Sequence, residues 1–237
     1  MSSKKHVYNI VAFGDSITFG AKATGYEHSW LGVFEEQLRL FVADDITLKN
    51  RSVGDNVISP ASTNYDISIK PSAKERLQYD VIAENPDLVF VCFGLNDMRF
   101  GTPVDVFIKE LSDMVETIIE KLPKTSVMLT NVFHMTGFEL YPPRNKGSLQ
   151  MMREYNQAIA KYAERISLPL ADTAIAMAEN DALIHDDGVH GNDLGHRIIG
   201  NRVFEAFVAA ASSAKTRHFD TSKLTFKSFL RDEKYCL

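Results

Sequence analysis

Five short apolar segments, rich in β-branched residues, recur along the chain and predict five buried strands. Most of them end close to glycine, asparagine or aspartate, the residue types that favour turns. Apolar runs without strict alternation are typical of strands that are covered on both faces. In chain order, the predicted strands are 8–14, 46–52, 88–94, 126–132 and 168–172.

Between these segments, apolar residues recur at the spacing of three and four that marks one face of a helix. One such stretch covers 30–41, and a second begins after Pro103 and stops before Pro123. Strands that alternate with helices predict crossover connections, and therefore a five-stranded parallel sheet in a three-layer α/β/α sandwich. The other two predicted helices cover 151–166 and 194–211.

The length of 237 residues suits one domain, which we place at residues 1–214. Residues 215–237 form a tail without clear periodicity, whose packing the pattern leaves open. Two polar loops, 55–71 and 133–148, follow predicted strands at their carboxyl ends. Long loops at that edge of a sheet commonly face a substrate, although plain surface excursions have the same composition.

Composition narrows the class of protein. A net charge of −5 argues against nucleic acid as a partner, and the chain has no apolar run long enough to span a membrane. The N-terminal segment lacks the apolar core of a signal peptide, so we expect a cytoplasmic location without integral membrane contact. The two cysteines, Cys92 in an apolar run and Cys236 near the terminus, support neither a disulfide framework nor a zinc knuckle.

The turn after the first predicted strand carries a candidate nucleophile. Gly14-Asp15-Ser16 places a serine hydroxyl at the carboxyl end of that strand, where open α/β sheets carry their chemistry. Asp15 and Ser16 are equally good residues for capping the helix that follows. The turn taken alone therefore predicts either a helix cap or a nucleophile.

A base and an orienting acid for such a serine lie near the end of the domain. Asp187 precedes His190 by three residues, which lets the carboxylate reach back and bond the imidazole within one loop. A rival interpretation takes these two residues with His185 and Asp186 as metal ligands, but their spacing matches no metal signature. Of the other histidines considered, His196 is expected to be structural and His134 to face the site from its loop.

The ends of the second and third strands offer donors for an oxyanion. Gly54 permits close approach of its backbone N–H, and the Asn96 amide supplies a neutral donor. Glycine and asparagine after a strand also form ordinary turns. Asp15 and Asp97, beside these candidates, are interpreted as carboxylates that hold the turns by accepting backbone N–H groups.

These blocks occur in the order found in the SGNH hydrolases, also called GDSL esterases/lipases, which the chain resembles from about residue 8 to 211. The resemblance implies a flavodoxin-like α/β/α fold and a serine hydrolase without metal or cofactor. It implies Ser16 as nucleophile, His190 as base and Asp187 as its orienter, with the Ser16 N–H, the Gly54 N–H and the Asn96 side chain as oxyanion hole. The second block is compressed here, and Gly191 replaces the proline that often follows the family histidine.

The expected activity is hydrolysis of carboxylic esters through an acyl-enzyme. Short-acyl or acetyl esters, such as acetylated carbohydrates, are the preferred small-molecule substrates, and a lysophospholipase or an acyl thioesterase is the alternative. From another class, a catalytically idle ligand-binding module on the same fold also fits the pattern. The sequence is compatible with a homo-oligomer.

Overall fold

The computed structural model describes residues 7–42, 44–213 and 216–227. A five-stranded sheet of order β2-β1-β3-β4-β5 forms its centre, and every neighbouring pair of strands is parallel. The predicted fold class is thereby confirmed. The strands are β1 (Val7–Gly14), β2 (Asp45–Ser52), β3 (Leu88–Cys92), β4 (Ser126–Thr130) and β5 (Leu170–Ala171).

Helices cover both faces of the sheet. On one face, alternate residues of β1 and β3 such as Phe13 and Val91 pack with the helices over 104–121 and 149–166. On the other face, residues such as Phe90 pack with the helices over 30–41 and 193–211. Side chains alternate across a strand, so these continuous apolar strands fill two cores at once. The α-helices are α1 (Ser16–Phe19), α2 (Trp30–Phe41), α3 (Ala73–Leu77), α4 (Leu95–Phe100), α5 (Val104–Lys121), α6 (Leu149–Ile166), α7 (Thr173–Met177) and α8 (Asp193–Ala211).

Shorter helical segments complete the described chain. A π-helix, Gln78–Ile82, continues directly from α3. Short 3₁₀ segments occupy Tyr26–His28, Tyr65–Ile67 and Asp181–Leu183. No helix in the described part of the chain combines the length and apolar composition that a membrane crossing requires.

The predicted boundaries differ from the observed ones mainly at the strand ends. The fifth predicted strand, 168–172, shortens to the two residues of β5, which pairs with β4 alone at the edge of the sheet. The third stops at Cys92, because Gly94 adopts a φ of 127° and caps α4. The short α1 and α4 lack a periodic signal, since neither spans two full turns.

The described part of the tail packs at the amino-terminal edge of the sheet. Val127 N donates to His218 O at 2.9 Å, and the rings of Phe219 and Phe207 lie 5.7 Å apart. Phe226 forms an isolated antiparallel bridge with Val42. The tail therefore meets the edge opposite to the one that carries Ser16. Cys236 lies outside the described residues, and the boundary at residue 214 stays a prediction.

Candidate active site

The turn after β1 separates the two roles that the sequence left open. Asp15 caps α1, since its Oδ1 accepts a hydrogen bond from Ile17 N at 3.0 Å. Ser16 is the first residue of α1, which leaves its hydroxyl free to face the carboxyl edge of the sheet. A Cβ on Gly14 would lie 2.1 Å from Thr18 Oγ1, so the tight turn requires glycine there.

Ser16, His190 and Asp187 form a continuous hydrogen-bonded chain. Ser16 Oγ lies 2.9 Å from His190 Nε2, and His190 Nδ1 lies 2.7 Å from Asp187 Oδ2. The three residues come from the turn after β1 and from the loop that precedes α8. This is the spatial order that a serine nucleophile, a base and an orienting carboxylate require.

Backbone hydrogen bonds hold the Asp187 carboxylate in place. Its Oδ1 accepts from Val189 N at 2.9 Å and from His190 N at 3.0 Å. His185 N donates to His190 O at 2.8 Å, which closes the loop on itself. The carboxylate orientation is therefore set by its own loop, before any contact with the imidazole.

The 133–148 loop contacts the histidine loop, as its predicted position at this edge suggests. Gly188, at a φ of 71°, accepts from Thr136 N at 2.9 Å and from Gly137 N at 2.7 Å. Tyr141 Oη donates to Asp187 O at 3.1 Å. The half-exposed ring of Tyr141 therefore lies beside the candidate catalytic triad of Ser16, His190 and Asp187.

The pKa values of His190 and Asp187 both lie below their ordinary values, for different physical reasons. Burial lowers the pKa of His190 below its ordinary value of 6.5, against the opposing effect of Asp187. Burial raises the pKa of Asp187, but the hydrogen bonds from His190 and Val189 outweigh it and leave that pKa below its ordinary value. Near neutral pH, His190 is therefore a neutral base and Asp187 an anion.

The two candidate oxyanion donors that follow the second and third strands, Gly54 and Asn96, lie near Ser16. A Cβ built on Gly54 would be 4.0 Å from Ser16 Cβ, and Gly54 is exposed. Asn96 is 2% exposed, and its Nδ2 lies 3.2 Å from Asn56 O and 3.5 Å from Asp15 Oδ2. The longer contact is at the outer limit of a hydrogen bond, so one N–H of this amide is only weakly engaged.

The neighbouring aspartates are buried and hold the loops, as the sequence suggests. Asp97 accepts from Ser62 Oγ at 2.5 Å and from Ile58 N at 3.1 Å, which anchors the start of the 55–71 loop. Burial raises the pKa values of Asp15 and Asp97 to about 7. Burial also raises the pKa of Cys92 to about 12, consistent with its interpretation as a small core residue.

The remaining histidines have other partners. His196 is fully buried, accepts from Trp30 N at its Nδ1 and lies 3.1 Å through Nε2 from Ala21 O, as a structural histidine would. His134 pairs with Asp181 at 2.7 Å instead of joining the triad. Within 7–42, 44–213 and 216–227, no group of three or more histidine, cysteine, aspartate or glutamate side chains has the arrangement of a metal site.

Arg76, which the sequence pattern did not reveal, forms hydrogen bonds to three segments that meet at the site. Its Nη2 donates to Gly14 O at 2.8 Å, its Nη1 to Arg51 O at 2.7 Å and its Nε to Asn56 Oδ1 at 3.0 Å. The guanidinium also stacks on Phe13, 4.3 Å from the ring centroid. A single arginine in a short helix carries no motif, so its role emerges only when the strand ends converge.

Comparison with known proteins identifies the class. Residues 12–198 match the model of the GDSL-like lipase/acylhydrolase family. The fold and this match define an ester-hydrolysing enzyme. The chain belongs to the GDSL-like lipase/acylhydrolase family.

Individual relatives are distant but cover most of the chain. An acetylxylan esterase of Geobacillus stearothermophilus is 24% identical over 213 residues, covering 80% of this chain and 89% of that protein. The crystal structure of a lipase/acylhydrolase from Enterococcus faecalis has a TM-score of 0.68 at 20% identity, and the match covers 85% of this chain and 96% of that one. The crystal structure of a catalytic mutant of an acetylxylan esterase from G. stearothermophilus has a TM-score of 0.64 at 21% identity, and the match covers 86% of this chain and 96% of that one. At such identities, the structural similarity concerns the fold.

Proposed function

We propose that the protein is a serine esterase in which Ser16 is the nucleophile, His190 the general base and Asp187 the residue that orients the base. The observation that carries the proposal is the unbroken contact from Ser16 Oγ to His190 Nε2, 2.9 Å, and from His190 Nδ1 to Asp187 Oδ2, 2.7 Å. Both distances are within hydrogen-bond range, so a proton passes directly between serine and imidazole.

The reaction proceeds in two acyl-transfer steps. His190 removes the Ser16 proton as the hydroxyl attacks the ester carbonyl, and the imidazolium is stabilised by Asp187. The resulting oxyanion accepts hydrogen bonds from the Ser16 N–H, the Gly54 N–H and the Asn96 amide. His190 then protonates the leaving alcohol, and water repeats the sequence on the acyl-enzyme to release the acid.

The substrate class we propose is a short-acyl ester, above all an acetylated carbohydrate. The acetylxylan esterase relative supports this choice, although only at 24% identity. Two exposed aromatic side chains lie on the segments that carry or contact the triad residues: Phe19, 66% exposed, ends the short helix that Ser16 begins, and Tyr141, 48% exposed, donates to Asp187 O. Flat aromatic rings at a rim suit the apolar face of a sugar.

The apolar cavity lined by Asp15 and Ile17, the residues on either side of Ser16, has a volume of only about 30 Å³, which favours a short acyl group over a long one. Each methylene that leaves water contributes about 0.8 kcal/mol, so an enzyme for long chains benefits from an apolar groove that begins at its nucleophile. Two surface grooves of about 570 and 440 Å³ lie elsewhere, between α6 and α7 and beside β5 and α8. Neither is lined by Ser16 or His190.

A substrate series tests this assignment. We expect kcat/KM for nitrophenyl esters to be highest for acetyl and to fall as the acyl chain lengthens, and we expect release of acetate from acetylated xylo-oligosaccharides. An acyl thioester and a lysophospholipid serve as the competing substrates. A maximum at long acyl chains, or higher kcat/KM on the thioester or the lysophospholipid, would overturn the acetyl-ester proposal.

Asn96→Ala tests the oxyanion donor. We expect kcat to fall by about 100- to 1,000-fold with little change in KM, because the lost N–H bonds the oxyanion more strongly than the ground-state carbonyl. Steady-state kinetics on nitrophenyl acetate measure both parameters. Asn201→Ala, an exposed asparagine on α8, is the matched control. A kcat within threefold of wild type in Asn96→Ala would contradict the assigned role.

A further inference from the structure

Arg99 is a buried cation whose guanidinium is unpaired. It is 6% exposed, and its Nε has no hydrogen-bond partner. It lies on α4 one helical turn after Asn96, and residues three apart on a helix share a face. An unpaired guanidinium is thus placed on the side of α4 that carries the oxyanion donor.

Other arginines with an unpartnered Nε do not share this property. Arg51 and Arg202 each leave Nε without a partner but bind a glutamate through a terminal nitrogen, Glu84 and Glu205 respectively. The terminal nitrogens of Arg99 form no ion pair with any carboxylate in the described part of the chain. Arg99 therefore differs from them in having no direct ion pair with a carboxylate of the described residues.

The nearby acidic groups are already engaged. Asp55 forms a two-point ion pair with Arg144, whose Nε donates to Asp55 Oδ1 at 2.6 Å. Asp187 is bound by His190. Neither carboxylate is within ion-pair distance of Arg99, although the charges of both act on its guanidinium through space. Lys22, exposed on the turn after α1, adds a second positive charge close enough to His190 to lower its pKa, as Arg99 also does.

The surroundings of Arg99 keep it beside the triad. Its Cζ lies 5.9 Å from the centroid of the Tyr141 ring, and Tyr141 Oη donates to Asp187 O. Lys146 N also donates to the backbone oxygen of Arg99 at 3.0 Å, which holds the 133–148 loop against α4. The guanidinium is therefore enclosed by a loop that also contacts the candidate acid.

We propose that Arg99 binds an anionic group of the ester substrate, a carboxylate or a phosphate, and so selects esters with a negative charge near the scissile bond. This inference rests on the proposed esterase function. Burying an unpaired charge is costly, and an anion brought by the substrate removes that cost when the complex forms. A guanidinium also offers parallel N–H groups that match the oxygens of either anion.

Matched acetyl esters test the proposal. Methyl 4-acetoxybenzoate is neutral, 4-acetoxybenzoate carries a carboxylate, and 4-acetoxyphenyl phosphate carries a phosphate. For each protein, kcat/KM on an anionic ester is divided by kcat/KM on the neutral one. Dividing this ratio in Arg99→Gln by the ratio in wild type cancels differences in leaving group and any general loss of turnover.

We expect Arg99→Gln to lower the ratio by roughly 30-fold, the effect of losing one partner of a desolvated charge pair. Arg165→Gln, which removes an exposed charge at the end of α6, is the matched control and should leave the ratio unchanged. A fall confined to the carboxylate ester or to the phosphate ester identifies the anion. An unchanged ratio for both anions overturns the proposal.

Inhibition of the wild-type enzyme provides a test that needs no variant to fold. Benzoate or phenyl phosphate should compete with nitrophenyl acetate at least tenfold more strongly than neutral benzamide, and equal inhibition by all three overturns the proposal. The two proposals fail differently. If hydrolysis persists in Ser16→Ala, the assignment of Ser16 as the nucleophile fails, whereas Ser16-dependent hydrolysis with an unchanged ratio overturns only the role of Arg99.

Discussion

Ser16→Ala is expected to reduce kcat for ester hydrolysis by about 10⁴- to 10⁶-fold, the largest effect of any single substitution in this protein. The Ser16 hydroxyl oxygen is the atom that forms the acyl-enzyme. Among the described side chains, no other hydroxyl or thiol forms a hydrogen bond with the His190 imidazole that could replace it. Residual activity would come from the oxyanion donors and from substrate binding. Stopped-flow and steady-state assays with nitrophenyl acetate measure the loss.

The control for this substitution is Ser112→Ala on α5, where the hydroxyl donates only to the backbone carbonyl of Lys109 in the same helix. It should retain wild-type kcat. A serine-directed fluorophosphonate should label wild type and Ser112→Ala on Ser16 and leave Ser16→Ala unlabelled. Near-normal hydrolysis by a folded Ser16→Ala protein would overturn the mechanism. A wild-type protein that neither hydrolyses esters nor reacts with the fluorophosphonate would favour the alternative of an idle ligand-binding module.

Arg76→Ala is expected to lower the free energy of unfolding by about 3–5 kcal/mol, as removal of one partner of a buried charged network does. The side chain is 5% exposed and donates to the carbonyls that end β1 and β2, Gly14 O and Arg51 O. Its loss leaves Gly14 O, Arg51 O and Asn56 Oδ1 without that donor, and it leaves Asp80 without its ion-pair partner. Urea unfolding followed by circular dichroism measures the change.

Arg153→Ala provides the matched control, because Arg153 binds Glu179 at the surface with about half of its side chain exposed. Exposed pairs of this kind contribute about 1 kcal/mol or less. An Arg76→Ala protein as stable as Arg153→Ala would show that the network around Arg76 contributes little. Because Gly14 precedes Asp15 and Ser16, we also expect Arg76→Ala to lower kcat beyond the loss that unfolding explains.

The repeating apolar pattern predicted the sheet and its long helices well. Local spacing determines which face of α2, α5, α6 and α8 is apolar, and continuous apolar runs require cover on both faces, so the sandwich followed directly. Boundaries were less predictable at β5, whose two residues pair only with β4. There the extent of the strand depends on how many of its residues pair with β4, which its own apolar pattern does not reveal.

The catalytic candidates were visible in the sequence because each occupies a short block with its own local chemistry. Asp187 and His190 lie in one loop, so their contact depends on local backbone geometry. The pairing of His190 with Ser16 joins residues 174 positions apart and depends on the fold. Family resemblance supplied that pairing in advance, which local spacing alone does not provide.

By itself, the sequence determined the order of strands and helices, the glycine that the Ser16 turn requires and the acid–histidine spacing, since each depends on neighbouring residues. Only the tertiary structure decided that Asp15 caps α1 while Ser16 faces the imidazole, that Arg76 joins two strand ends and that Arg99 is left unpaired. The physical reason is that hydrogen-bond satisfaction is a property of the assembled edge. A donor is paired or unpaired according to what distant segments bring to it.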